Sequence, residues 1–229
     1  MRLHRFYTKE NLVAGSVLQL SDSRLVHQWK NVFRFRGGQE VILFNGNGLE
    51  FHAVINHVSK DDAEVVVGES KVAFMESRKV TLYMSVIKKD LFELVCEKAT
   101  ELGASCIVPI LTERSLEKNL NIERLEKIVI EASEQCGRGD IPEIEEVKSL
   151  QLIADRFDEN TFVLDMSGKR ISDFQLSTNN YQLFVGPEGG WGEKDKEIFS
   201  KCNVKYVSLG ETVLRAETAG IVTVYEFLK

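Results

Sequence analysis

The hydrophobic pattern divides the chain into two parts. Before about residue 70, short runs rich in β-branched and aromatic residues alternate with turn signals such as FNGNG at 44–48. The runs are VLQL, EVILF, EFHAVINHV and DAEVVVGES. This pattern predicts a small barrel-like β domain, which we place at residues 1–72.

One helix interrupts these predicted strands, and Ser21 or Asp22 can cap it. Apolar residues follow at one-face spacing, at Leu25, Val26, Trp29, Val32 and Phe33. The opposite face carries Arg24, His27, Lys30 and Arg34. An ordinary solvated face and an RNA contact both fit this pattern. No acidic residue of the helix lies on the basic face, which favours the RNA contact.

From about residue 78 onward, strand patterns alternate with helical patterns, which is typical of an α/β domain with a parallel sheet. The strand patterns are VTLYMSVI, SCIVPIL, TFVLDM, YQLFVG and VKYVSLG. Two helices with single apolar stripes should end at Gly103 and Gly137, and LRAETAGIVTVYEFLK should form a last helix. The second stripe comprises Ile122, Leu125, Ile128, Val129, Ala132 and Cys136. We place this domain at residues 73–229.

Charge is unevenly distributed along the chain. The 229 residues have a net charge of −6, yet residues 1–36 contain seven Lys and Arg against two acids, a local balance of +5. A basic region on an acidic protein suits a polyanionic partner. No apolar run is long enough to cross a bilayer, and no signal-peptide pattern is visible, so we expect a cytosolic protein. The four cysteines show no metal-ligand spacing, so we expect reduced, mostly core thiols and no metal site.

Two glycine-containing loops each follow a predicted parallel strand, VGPEGG after YQLF and SLGETVLRAET after VKYV. Such loops meet at the carboxyl edge of a sheet, so we expect one pocket. Neither loop matches a phosphate-binding template, and Glu188 would repel phosphate oxygens. A cationic, hydroxyl-bearing ligand such as S-adenosylmethionine fits better.

Four blocks, read in order, carry a resemblance to a known family. They are EKATELGASCIVPILTERS, EASEQCGRGDIPEI, FVGPEGGWGEKDKEI and LGETVLRAETAG. Together they resemble the RsmE family of 16S ribosomal RNA uridine-N3 methyltransferases, of the SPOUT class. The resemblance implies a PUA-like RNA-binding barrel, a trefoil-knotted α/β methyltransferase domain, S-adenosylmethionine as cofactor, a homodimer, and 16S rRNA, in the assembled small subunit, as partner. The sequence departs from the family pattern at Gly192 and at Asp195, where Glu is usual, so we expect a helix-terminus role for Asp195.

The resemblance also implies roles for single residues. The cofactor site would comprise Leu164, Val185, Gly186, Pro187, Glu188, Gly189, Gly190, Leu209, Gly210, Val213, Leu214, Arg215 and Thr218. Arg215 would stabilise charge on a uracil oxygen, with Glu217 or Glu188 as proton acceptor or orienting group; a structural ion pair between Arg215 and Glu217 fits equally. RNA would be bound by Arg2, Arg5, Arg24, His27, Lys30, Arg34, Arg36, Arg114, Gln135 and Arg138.

Three other functions stay open at this point. A SPOUT enzyme could methylate a ribose 2′-hydroxyl or another RNA, and an inactive RNA-binding module would keep the same architecture. A nucleotide-dependent transferase could also use loops at the edge of the sheet, although the missing Walker lysine and Glu188 weigh against it.

Overall fold

The computed structural model describes residues 3–115 and 119–229. It forms two compact units, the first comprising Met1–Met75 with Ser133–Ile141 and the second Glu76–Ala132 with Pro142–Lys229. Arg2, one of the predicted RNA contacts, lies outside the described residues. The domain boundary between residues 72 and 73 stays a prediction.

The first unit contains a five-stranded sheet with the order β1-β3-β4-β5-β2. Its strands are β1 (Arg5–Tyr7), β2 (Val17–Leu20), β3 (Gln39–Phe44), β4 (Leu49–Val58) and β5 (Ala63–Val72). β1 pairs with β3 in parallel and every other neighbouring pair is antiparallel. The four predicted strands are confirmed, whereas β1 was missed because three residues are too few to show an alternating pattern.

The predicted helix of this unit begins as expected but does not continue as an α-helix. Asp22 caps α1 (Ser23–His27), and its carboxylate accepts hydrogen bonds from the backbone N–H groups of Arg24 and Leu25 at 2.9 and 3.3 Å. A π-helical turn, Gln28–Val32, then follows, in which the N–H of Phe33 donates to the carbonyl of Gln28.

This π-helical turn corrects the predicted apolar face. Leu25, Val26 and Trp29 are buried, but Val32 is 64% exposed. An i→i+5 hydrogen bond adds one residue to the turn and rotates the side chains that follow it. The prediction that Val32 belongs to the apolar face is therefore wrong.

The second unit is built on a wholly parallel sheet with the order β12-β10-β11-β6-β7-β8, and β9 pairs with β7. Its strands are β6 (Lys79–Ser85), β7 (Cys106–Leu111), β8 (Glu143–Ile144), β9 (Lys148–Ser149), β10 (Thr161–Arg170), β11 (Asn180–Val185) and β12 (Lys205–Ser208). The predicted α/β class with a parallel sheet is confirmed, while the trefoil knot stays a prediction.

The described residues also form four longer helices, and 3-10 helices at Leu150–Arg156 and Ile171–Asp173. The helices are α2 (Lys89–Leu102), α3 (Ile122–Cys136), α4 (Glu193–Ser200) and α5 (Ala216–Leu228). Gly103 ends α2 with a φ of 110°, a left-handed conformation that glycine adopts without strain. The residues of the two predicted apolar stripes are buried or half-buried, apart from Cys136, which is exposed.

The cysteines are free, as expected, but only Cys96 is fully buried. Cys106 and Cys202 are half-buried, and the prediction of mostly core thiols is wrong because Cys136 lies at the exposed end of α3. Burial raises the pKa of Cys106 to about 12 and raises that of Cys96 further.

These environments predict an order of thiol reactivity. The thiolate is the reactive form, so iodoacetamide at pH 8 should modify Cys136 first and should reach Cys96 and Cys106 only after unfolding. Mass spectrometry of tryptic peptides after timed labelling measures the order. Modification of Cys96 in native protein as fast as that of Cys136 would contradict this packing.

Candidate active site

A cavity of about 560 Å³ lies at the ends of the parallel strands β11 and β12 and at the irregular middle part of β10, which lies between them in the sheet of the second unit. The loop after β11, the loop after β12 and the first turn of α5 all line it. This is the edge at which parallel α/β sheets bind ligands. The structure thus brings the two glycine-containing loops to one cavity.

Most of the predicted cofactor residues line this cavity. They are Leu164, Val185, Gly186, Pro187, Glu188, Gly190, Leu209, Val213, Leu214 and Arg215. Three others lie outside its lining: Gly189 accepts a hydrogen bond from Arg114, Gly210 borders a neighbouring cavity of about 350 Å³, and Thr218 is exposed.

Sequence reasoning missed several lining residues, namely Leu91, Asp165, Met166, Trp191, Ser208, Thr212, Ala216 and Ala219. Asp165 and Met166 were read as part of a regular strand. Both Leu164 and Lys169 pair with Val207, so the residues between them leave the ladder with β12. No periodicity of the sequence predicts this irregularity, whereas Trp191, directly after the glycines, could have been found from its position.

Trp191 supports the glycine loop after β11. Its ring is 4% exposed, and its Nε1–H donates to the carbonyl oxygen of Leu164 at 2.9 Å. A Cβ on Gly186 would lie 3.2 Å from the ring, which is tighter than ordinary van der Waals contact. A side chain at this position would press on the indole, so the close approach of the backbone to the ring favours glycine at Gly186.

The loop after β7 holds the other side of the glycine loop. The buried carboxylate of Asp195 accepts hydrogen bonds from the N–H of Gly192 at 2.9 Å and from the N–H of Glu113 at 3.2 Å. In return, the carboxylate of Glu113 accepts one from the N–H of Lys194 at 2.9 Å. The predicted helix-terminus role of Asp195 is confirmed, and the same side chain joins two loops.

Arg114 belongs to the same loop after β7. Its guanidinium donates to the carbonyl oxygen of Gly189 at 2.7 Å. Arg114, a predicted RNA contact, thus forms a hydrogen bond within the second unit, to the glycine loop that lines the cavity.

Loss of the Asp195 carboxylate should destabilise the protein. We expect Asp195→Ala to lower the free energy of unfolding by about 2–4 kcal/mol, because the N–H groups of Gly192 and Glu113 lose their acceptor. Urea denaturation measures the change. Glu197→Ala, at an exposed position on the same helix, is the matched control and should change stability by less than about 0.5 kcal/mol. Equal effects of the two substitutions would contradict the role of Asp195.

The charged groups of the cavity differ in their surroundings. Glu217, in the first turn of α5, is only 7% exposed, whereas Glu188 and Arg215 are exposed. Within residues 3–115 and 119–229, the carboxylate of Glu217 has no hydrogen-bond or ion-pair partner, and no ion pair joins it to Arg215. The alternative of a structural Arg215–Glu217 pair is therefore wrong in this structure.

Several predicted RNA contacts are instead paired within the first unit. Arg5 forms an ion pair with Glu50, and its guanidinium also donates to the carbonyl oxygen of Arg138 at 3.0 Å. Arg24 pairs with Glu134 of α3 at 3.0 Å. No acid lies on the basic helix face itself, as predicted, but an acid from another helix neutralises this residue.

Arg138 is 4% exposed and pairs with Asp140 at 2.8 Å. The remaining predicted RNA contacts of this unit, His27, Lys30, Arg34, Arg36 and Gln135, are exposed. Among the described residues no cluster of His, Cys, Asp and Glu is arranged to hold a metal ion, and no helix is long and apolar enough to cross a membrane.

Comparison with known families decides which one this chain belongs to. An RNA methyltransferase domain matches residues 75–226, and an RNA methyltransferase PUA domain matches residues 30–68. The ribosomal RNA small subunit methyltransferase E of Rickettsia conorii is 34% identical over 98% of this chain and 94% of its own length. The chain belongs to the ribosomal RNA small subunit methyltransferase E family. The family member from Bacillus subtilis is 31% identical over 93% of this chain and 90% of its own length.

Solved structures agree with this family membership. The methyltransferase E of Neisseria gonorrhoeae, solved with bound S-adenosylmethionine, has a TM-score of 0.91 at 27% identity and covers 97% of this chain and 95% of its own. A putative methyltransferase of Legionella pneumophila, also solved with this cofactor, has a TM-score of 0.93 at 30% identity over 99% and 97% of the two chains. The predicted family and fold class are confirmed.

Proposed function

We propose that this protein transfers a methyl group from S-adenosylmethionine to N3 of a specific uridine in 16S rRNA. The observation that carries the proposal is the cavity beside β10, β11 and β12, which is lined both by Arg215 and by the mostly buried Glu217, whose carboxylate has no partner among the described residues. Membership of the methyltransferase E family supports the same reaction. A homodimer that acts on assembled small subunits in the cytosol is part of this proposal.

The cavity fits the proposed cofactor. Its carboxylates, from Asp165, Glu188 and Glu217, suit a ligand with a cationic sulfur, an ammonium group and ribose hydroxyls. Apolar side chains such as Leu164, Leu209 and Leu214 would surround an adenine. When bound, S-adenosylmethionine supplies a methyl group activated by its positively charged sulfur.

The residues of the chain would then act on the uridine. N3 of uracil carries a weakly acidic proton, and its removal leaves negative charge on the two neighbouring carbonyl oxygens, O2 and O4. Glu217 would accept this proton, since its side chain lines the cavity and its carboxylate has no competing partner among the described residues. Arg215 would donate hydrogen bonds to the oxygen on which charge grows. Alignment of both reactants would contribute a further ~7–11 kcal/mol.

Transfer of labelled methyl groups tests the proposal. Small ribosomal subunits from a strain that lacks this protein are incubated with the enzyme and labelled S-adenosylmethionine, and the digested RNA is analysed by nucleoside mass spectrometry. We expect label in 3-methyluridine. Label in a 2′-O-methylated nucleoside would overturn the acceptor atom, and cofactor binding without transfer would favour an RNA-binding module.

A further inference from the structure

An aromatic cluster lies at a partly exposed position in the first unit. The ring of His4 lies 4.5 Å from that of Phe33, and Phe33 stacks on Phe35 with centroids 5.1 Å apart and an interplanar angle of 19°. Phe6, which is 1% exposed, contacts Phe33 edge-on at 5.5 Å. His4 is exposed, and Phe33 and Phe35 are half-buried, so the outer part of the cluster faces solvent while the inner part is fixed by the core.

The backbone that presents these rings has an unusual conformation. Arg34 is the only described non-glycine residue with a positive φ, 56°. Phe33, at the end of the π-helical turn, and Phe35 are two residues apart and stack on each other, with the left-handed Arg34 between them. Such conformations are uncommon for residues other than glycine and concentrate at binding sites.

Positive charge next to the cluster is not neutralised. In the part of the chain that the structure describes, the side chains of Lys30, Arg34 and Arg36 have no ion-pair or hydrogen-bond partner. Arg5 and Arg24 in the same unit are paired with carboxylates. Arg34 and Arg36 flank Phe35 in sequence, so their Cα atoms lie about 3.8 Å from that of Phe35. The unpaired basic residues therefore belong to the same short segment of chain as Phe33 and Phe35.

Aromatic faces beside unpaired cations are the two features that bind single-stranded nucleic acid. A base in a duplex is stacked on its neighbours and cannot reach such a ring, so the ligand must contain an unpaired nucleotide. We propose that His4, Phe33 and Phe35 form a stacking platform for an unpaired RNA base, and that Lys30, Arg34 and Arg36 contact the adjoining phosphates. The proposal rests on the proposed function, since it assumes that the partner is RNA.

Two probes separate base stacking from phosphate binding. Fluorescence anisotropy on the full-length protein compares a 12-nucleotide oligouridine with an abasic ribose-phosphate chain of the same length. His4→Ala and Phe33→Leu should weaken binding of oligouridine by about 5- to 100-fold and leave binding of the abasic chain unchanged. His4→Phe, which keeps an aromatic ring, should retain the affinity.

Substitution of the cations should give a different result. Arg34→Gln and Arg36→Gln should weaken binding of both probes, and each should reduce the slope of log affinity against log salt by about 0.7. Lys60→Gln, an exposed lysine elsewhere in the unit, is the matched control and should change neither. Thermal melts of each variant show whether it is folded at the temperature of the binding measurement. Because His4 is exposed, His4→Ala tests the platform without disturbing the core against which Phe33 packs.

The platform is overturned if His4→Ala and Phe33→Leu bind oligouridine as the wild type does, or if they weaken binding of both probes equally. This outcome differs from failure of the proposed function. The probes are bound without cofactor, whereas the methyl-transfer reaction depends on the cavity in the second unit. Wild-type protein that discriminates between the probes but transfers no methyl group would refute only the proposed reaction.

Discussion

Glu217→Gln should lower kcat for methyl transfer to small ribosomal subunits by about 10²- to 10⁴-fold, the usual contribution of a positioned base. The amide keeps the size of the side chain but cannot accept the proton. Because uracil also loses its N3 proton to hydroxide, the difference between variant and wild type should narrow as pH rises. Steady-state kinetics between pH 7 and about 9.5 measure both effects.

Stability separates this catalytic role from a structural one. Glu217 is 7% exposed as a residue, and its carboxylate, which has no partner among the described residues, lines the cavity. Glu217→Gln keeps the size of the side chain and removes no hydrogen bond, so it should change the free energy of unfolding by less than about 1 kcal/mol. Glu197→Gln is the matched control, since Glu197 is an exposed glutamate of the same unit that does not line the cavity, and it should leave kcat unchanged. Loss of stability in Glu217→Gln together with full activity would contradict the proposed role.

The sequence was most informative where local pattern and tertiary environment agree. Strands buried on both faces read as apolar runs, so all five strands predicted for the second domain correspond to strands of the parallel sheet, namely β6, β7, β10, β11 and β12. The two glycine loops were also sufficient to predict one cavity, because parallel strands end at a common edge. Those features depend on residues that are neighbours in sequence.

The errors arose where distant residues or irregular backbone decide the outcome. Arg5 and Arg24 look like surface cations in sequence, and only the fold brings Glu50 and Glu134 to them. The π-helical turn exposes Val32, and the irregularity of β10 directs Asp165 into the cavity. A hydrophobic pattern with a fixed period does not show where one extra residue is inserted into a helical turn or a strand. The pattern therefore predicts regular helix or strand at such positions.

Arg215→Ala should lower kcat by about 10²- to 10³-fold, because it removes a charged hydrogen-bond donor at the position where negative charge develops. Arg215 is the residue that precedes α5, with extended backbone angles of φ −63° and ψ 151°, and its exposed side chain has no ion pair among the described residues. The guanidinium is thus free to contact a substrate. Isothermal calorimetry should give a cofactor Kd within about threefold of wild type, since the lost interaction belongs to the transition state.

Two variants define the specificity of this effect. Arg215→Lys keeps the charge without the paired donors, so it should recover only part of the rate. Arg124→Ala removes an arginine of the same unit whose ion pair with Glu93 is on the surface, and it should leave kcat unchanged. A larger effect on cofactor Kd than on kcat would instead assign Arg215 to cofactor binding.

The double variant Glu217→Gln/Arg215→Ala tests whether the two residues act in the same step. If Glu217 removes the proton and Arg215 stabilises the charge that this removal creates, neither residue can contribute fully without the other. The double variant should then be only slightly slower than the slower single variant, rather than slower by the product of the two effects. Independent, multiplicative losses would separate the two roles and place Arg215 in substrate binding.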